Sequence, residues 1–255
     1  MPGTATVGHR MRNDEVWQAR VDLAVICRWA YRLGFQSGVG NHFSLMVPGS
    51  EDQFLVTPEG FYWSEVTASN LVVCDLDGKV VEGPNKVDAT AFYLHAPVHK
   101  ANPAAKCVLH THMPSTTALC MIKGARLELA HQSALGYVGR TAYDEHYGGL
   151  ALSWEEGTRV ARALGTDNHT ILLRNHGPLV VGPTAAEAFV RLEFLEELCK
   201  WQLMAMQTGR PLQQVEPAVH ADVMRRVDEG GATYAALQLA AMKRVLDRQE
   251  PDYKN

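Results

Sequence analysis

The feature that most restricts this chain is His110-Thr111-His112, which follows the apolar run Cys107-Val108-Leu109 and precedes Pro114. Side chains alternate between the two faces of an extended backbone, so both imidazoles emerge on one side with Thr111 on the other. Two ring nitrogens aimed the same way can chelate one ion, and a third ligand has to come from a distant segment. His176 stands in such a segment, between the β-rich runs Thr170–Leu173 and Leu179–Val181, beside a Gly177 that permits a tight backbone. Three histidines leave a coordination position open, as catalytic zinc sites require.

The rest of the pattern is an alternation of short strands and longer helices. Glu15 to Leu33 reads as a helix with an apolar stripe of Val16, Leu23, Ile26, Cys27, Ala30 and Leu33, stopped by Gly34. Phe35 to Ser44, rich in glycine and polar residues, suits a turn near a ligand. Phe54–Thr57 and Leu71–Leu76 read as strands, and Asp77-Gly78 as the turn of a hairpin closing on Val80-Val81. A helix covers Ala89 to His99, Pro114 opens another, and Ser153-Trp154-Glu155-Glu156 matches a capping box for a helix through Ala163. Ala185 to Met206 is the longest helical pattern, and the part beyond Pro211 is a weaker helical or irregular tail. Without a regular βαβ rhythm, these elements predict a central mixed sheet with helices packed over it. The expected division is a flexible leader at 1–14, one domain over 15–210, and a C-terminal extension of that domain over 211–255.

Composition narrows the function classes. With 46% hydrophobic and 20% charged residues in 255, the chain can bury a substantial core. A net charge of −4, spread along the sequence, gives no basis for nucleic acid or an anionic membrane as partner. No apolar run reaches the roughly 18 residues of a membrane span, and the N-terminus lacks a signal-peptide block. The five cysteines are scattered and never form Cys-x-x-Cys, which points to a reducing cytoplasm. Of the other histidines, His42, His131 and His146 are expected to be hydrogen-bonded structural residues. His95 and His99 are expected to share a partly exposed helix face.

At these residues the sequence resembles the class II aldolase/adducin family, from about Glu15 to Gly209. The resemblance rests on Gly40-Asn41-His42-Phe43-Ser44, Thr57-Pro58-Glu59-Gly60, Val108-Leu109-His110-Thr111-His112, and Leu173-Arg174-Asn175-His176-Gly177-Pro178 with Leu179-Val180-Val181-Gly182, in that order. Gly60 to Leu71 and Ala142 to Gly148 are similar to the adducin-like, bacterial-type branch rather than to the fuculose-phosphate and ribulose-phosphate members. The resemblance implies an α/β three-layer fold, a central mixed β-sheet flanked by α-helices. It also implies a divalent metal on His110, His112 and His176, zinc first and Fe2+, Mn2+ or Co2+ as alternatives. A homotetramer with sites between subunits is implied as well.

Two departures from the sugar-phosphate members shape the functional expectation. Their Ser-Ser-Glu motif, which carries the catalytic glutamate, falls here on Ala89, Thr90 and Ala91. Asp88, about one turn earlier, is the carboxylate assigned in its place, and Tyr143 matches the family's tyrosine as a proton donor. Glu59 stands, with Gly60, in the loop that holds a phosphate in those members, where a carboxylate repels a phosphate dianion. Asn41 is expected to orient a substrate oxygen, with Glu59 and Gly60 lining the substrate loop. The implied activity is a metal-dependent lyase, of retro-aldol or decarboxylating type, on a small non-phosphorylated carbonyl or hydroxy-acid compound. The alternatives are an adducin-like binding or scaffold protein and an iron or manganese enzyme on the same fold.

Overall fold

The computed structural model describes the backbone of residues 4–255 and the side chains from residue 13 onward. In chain order the elements are α1 (Thr4–Arg32), β1 (His42–Met46), β2 (Gln53–Val56), β3 (Val72–Asp75), β4 (Val80–Glu82), α2 (Ala89–Ala101) and β5 (Cys107–His110). They continue with α3 (Pro114–Met121), β6 (Thr141–Asp144), α4 (Trp154–Leu164), β7 (Thr170–Leu173), β8 (Gly177–Gly182), α5 (Ala185–Met206) and α6 (His220–Gln249). The eight strands form one sheet in the order β4-β3-β2-β1-β5-β8-β7-β6. All neighbours are antiparallel except the parallel pair β6–β7, so the sheet is mixed, as expected.

Strands β1, β5, β7 and β8 are buried along their whole length, because helices cover both faces of the sheet. On one face Phe43, Leu55, Leu109 and Val180 pack with Leu23 and Ile26 of α1, Phe189 and Leu192 of α5, and Met242 and Leu246 of α6. On the other, Val108, Ile171, Leu179 and Val181 pack with Leu94 and Val98 of α2 and Val160, Ala161 and Leu164 of α4. The result is the three-layer α/β arrangement.

The α2–α4 contact has a particular cause. Pro97 inside α2 has no N–H, so the Tyr93 carbonyl four residues earlier loses its helical partner. Gly157 of α4 settles on that carbonyl; a Cβ there would lie 1.8 Å from Tyr93 O and 2.7 Å from Pro97 Cγ. Only a residue without a side chain allows α4 this close.

The structure departs from the sequence expectations at several points. Helix α1 begins at Thr4 instead of Glu15, so the backbone of the expected leader is helical from that residue. The apolar stripe marks where packing starts, while an established helix propagates beyond it at little cost. Residues 1–3 of that leader lie outside the described residues. His42–Met46, whose first three residues were expected as a turn, is a central strand whose alternate positions His42 and Ser44 are polar yet buried. The tail beyond Pro211 contains the 30-residue helix α6, whose signal is weak because only Ala235, Met242 and Leu246 are buried. All five cysteines are buried and unpaired. No helix among the described residues is long and apolar enough to cross a membrane.

Candidate metal centre

His110 is the last residue of β5, opposite His42 in β1 and Leu179 in β8. The alternation read from the sequence holds: the Thr111 hydroxyl points to the other side and donates to Phe35 O. His176 occupies the β7–β8 turn, where Asn175 takes a left-handed φ of 57°, a conformation asparagine tolerates. These local choices bring three rings together. Their centroids are 5.1 Å (His110–His112), 4.6 Å (His110–His176) and 5.1 Å (His112–His176) apart. One nitrogen from each lies within 4.8 Å of the others.

The donor set fits a divalent ion on three counts. His110 and His176 face each other through their Nε2 atoms at 3.1 Å, near the about 3.3 Å that separates two nitrogens bound at about 2.0–2.1 Å to a tetrahedral ion. His110 Nδ1–H donates to Pro178 O at 2.9 Å, which fixes the tautomer and leaves the Nε2 lone pair free. His112 Nε2 is buried and has no hydrogen-bond partner, an arrangement that costs free energy unless something binds there. Burial is the main reason all three rings titrate low: His110 well below the ordinary value, His112 below it, and His176 down to about 4, assisted by the charge of His112. At neutral pH the rings are therefore uncharged, the state that metal ligation requires.

Position 177 is closed to any side chain. A Cβ on Gly177 would lie 2.8 Å from Thr111 O and 3.3 Å from His112 Cδ2. The strand end and the turn can bring their histidines together only because this residue is glycine. Just beyond, Glu196 of α5 accepts from Ser115 N, Thr116 N and Thr116 Oγ1, anchoring the start of α3.

The other expected residues fall around this centre in different ways. Asn41 is buried and accepts from Ser37 N at 2.6 Å, bracing the loop before β1. Glu59 and Gly60 are exposed in the loop after β2. Asp88 is the N-cap of α2, accepting from Thr90 N, Ala91 N and the Thr90 hydroxyl. Burial alone would raise its pKa, but these hydrogen bonds and the nearby His42 bring it below the ordinary value. Tyr143 lies on β6, three strands from β5. Its hydroxyl accepts from Leu127 N at 3.1 Å, and Arg126 and Arg174 lie over its ring. Ala91, where a glutamate would fall, is fully buried among Met46, Phe54, Val56, Val72 and Cys74.

Two groups of residues were missed. Glu156 lies in a small pocket with His146, Tyr147 and His176, and its charge acts on the His176 ring. Ser153 caps α4 as expected, accepting from Glu156 N. The Glu156 carboxylate, however, is gripped by Arg159 at 2.8 Å on each oxygen, which holds its pKa low. The capping pattern assigned the Glu156 carboxylate to the helix start, so no sequence signal pointed to Arg159 or to the pocket. The second group is His95 and His99, expected to be partly exposed; they are 0% and 6% exposed, on the inner face of α2 and hydrogen-bonded to β1.

A family model described as the class II aldolase and adducin N-terminal domain matches residues 21–203. A Caulobacter vibrioides protein, provisionally named as an aldolase class 2 protein, is 36% identical over 243 residues, covering 94% of this chain and 93% of that protein. Human beta-adducin is 34% identical over 173 residues, covering 66% of this chain and 23% of that protein. The crystal structure of an aldolase II superfamily protein from Pseudomonas syringae superposes with a TM-score of 0.86 at 33% identity, covering 94% of this chain and 96% of that one.

Proposed function

The chain belongs to the class II aldolase/adducin family, and on that premise we propose that it is a metal-dependent lyase. It would break a carbon–carbon bond, by retro-aldol cleavage or decarboxylation, in a small non-phosphorylated carbonyl or hydroxy-acid compound. The observation that carries this is the convergence of His110, His112 and His176 with an orphaned ring nitrogen among them. When bound there, a divalent ion, zinc by preference for three imidazoles, supplies a Lewis acid that polarises a carbonyl and steadies the charge developing as the bond breaks.

The chain's own residues support the reading in stated ways. Pro178 O orients His110, and the Thr111–Phe35 contact fixes which way the strand end faces. Of the two groups assigned to proton transfer, Asp88 holds the Thr90 hydroxyl, whose oxygen lies 3.3 Å from His42 Nε2 beside the centre. Tyr143 has its hydroxyl on Leu127 and would serve across a subunit interface. Exposed Tyr147, Leu150 and Leu152, in the segment beside the pocket, favour self-association, and a homotetramer is the proposed assembly. The exposed Glu59 carboxylate argues against a phosphorylated substrate.

Metal analysis of protein purified without chelator, followed by a screen of hydroxy acids and carbonyl compounds, tests the proposal. A bound divalent ion should be found, and His112→Ala should lose both the ion and any cleavage activity. A second reading, an adducin-like binding protein, is favoured by the identity to beta-adducin. It prevails if His112→Ala loses the ion while the protein's cellular role persists.

A further inference from the structure

Beside the histidine centre a buried chain of hydrogen-bonding groups runs between α2 and β1. His99 Nδ1 meets Ala105 O at 2.8 Å, His99 Nε2 meets Ser44 Oγ at 2.8 Å, and Ser44 Oγ meets His95 Nδ1 at 2.6 Å. His95 Nε2 then meets His42 Nδ1 at 2.8 Å, and His42 Nε2 meets Thr90 Oγ1 at 3.3 Å. The Thr90 hydroxyl closes the chain on Asp88 Oδ1. His42, Ser44, His95 and His99 are each 6% exposed or less.

Both ends of this chain can only accept. A carbonyl oxygen has no proton to give, so His99 donates through Nδ1 and its neutral ring accepts at Nε2. The Ser44 hydroxyl therefore donates to His99, and its lone pair takes the Nδ1–H of His95. A Ser44 contact to Val108 O is 3.5 Å, too long to compete. His95 Nε2 in turn accepts from His42 Nδ1–H. At the far end the Asp88 carboxylate takes the Thr90 proton. Five groups with one proton each thus serve six contacts. The unfilled one is Thr90 Oγ1 against His42 Nε2, and it is the longest of those whose length is given above, as two facing acceptors would be. His42 Nε2 is left with a lone pair and no donor, on a ring whose centroid is 5.2 Å from that of His110.

We propose that Ser44, His95 and His99 are positioning residues that hold His42 in its Nδ1–H tautomer, so that its Nε2 accepts the hydroxyl hydrogen of a hydroxy acid bound at the histidine centre. The ligand class rests on the lyase reading above; the tautomer does not. This would make the site select compounds with a hydroxyl next to the metal-binding group, because an analogue without it leaves the acceptor unpaired.

The test uses the full-length protein labelled with 15N-histidine, loaded with zinc, and titrated with glycolate and with acetate. His42, His95 and His99 should all appear as Nδ1–H tautomers, and glycolate but not acetate should shift His42 Nε2. Ser44→Ala removes the donor to His99 and the acceptor for His95. It should release His42 into mixed tautomers and cut the preference for glycolate over acetate about tenfold, with zinc affinity unchanged. A role confined to structure would lower stability and leave both the tautomer and the preference in place. If zinc binds and wild-type His42 carries its proton on Nε2, or on both nitrogens, the inference fails alone. If zinc does not bind at all, the lyase reading fails and the ligand assignment with it. The wild-type spectrum decides the tautomer even if Ser44→Ala does not fold.

Discussion

Gly177→Ala separates steric support of the proposed metal centre from general packing. Gly177 is absent from the residues with positive φ, so alanine suits its backbone and the perturbation is purely spatial. The new Cβ would sit 2.8 Å from Thr111 O, whereas ordinary contacts begin at 3.4 Å, so something must move by about 0.6 Å. Thr111 O is backbone between two ligands, and the next atom in the way, His112 Cδ2 at 3.3 Å, belongs to one of them. Metal sites tolerate about 0.2 Å in ligand distance, so the displacement reaches the ion. The metal-free protein should lose about 1–3 kcal/mol, the usual range for overpacking, and zinc affinity should fall about 10–100-fold, as for loss of an orienting partner. Urea unfolding of the metal-free protein and chelator competition for zinc measure the two effects. Gly182→Ala is the control: its Cβ would lie 2.7 Å from Ala188 N, at the other end of β8. It should cost similar stability and leave zinc affinity alone. Wild-type zinc affinity in Gly177→Ala, or equal loss in the control, would refute the reasoning.

Three further outcomes are expected. Ala91→Glu would put a carboxylate into the apolar cluster of Phe54, Val56 and Cys74 instead of beside the ion. It should destabilise by about 3–5 kcal/mol and create no new cleavage activity; a stable variant with aldolase activity would contradict the packing. Burial lowers His99 to about 4 in the folded state. The unfolded chain therefore binds a proton that the folded one does not, and stability falls as pH drops from about 6.5 toward 4. His99→Gln should flatten that fall by about 1.4 kcal/mol per pH unit in urea titrations at several pH values, and an unchanged slope would refute the assignment. Glu196→Ala removes the acceptor of Ser115 N and both donors of Thr116. It should cost about 2–4 kcal/mol by thermal or urea unfolding, and a loss below about 0.5 would show that α3 caps itself.

What could be read from the sequence was set by the range over which each signal acts. The candidate ligands were legible because strand alternation orients His110 and His112 within three residues, and a glycine turn marks His176. The resemblance, not the spacing, joined the two segments. The strand His42–Met46 was not legible as one. Its polar positions look like a loop until His95 and His99, more than fifty residues on, bury them by hydrogen bonding. The same pairing hid the burial of those two histidines, since an α2 face carrying His95 and His99 reads as solvated when its partner strand is unseen. Helix α6 was underestimated because three buried residues in thirty make a faint stripe. Glu156 was read as half of a capping box, but only its backbone N–H reaches Ser153, while its carboxylate is held by Arg159 and its pocket depends on the β7–β8 turn.

The buried cysteines bear on which metals the protein can take up. Thiolates draw soft, thiophilic ions such as copper(I), and a reactive thiolate near an imidazole cluster would divert them into the protein. Here burial pushes the Cys74 thiol up to about 11 and Cys120 up to about 12, and it raises Cys27, Cys107 and Cys199 as well. At the histidine cluster an incoming ion therefore meets neutral imidazoles of borderline character and no thiolate. The five cysteine sulfurs stay protonated inside the layers, which leaves the choice among ions at the cluster to imidazole chemistry and coordination geometry.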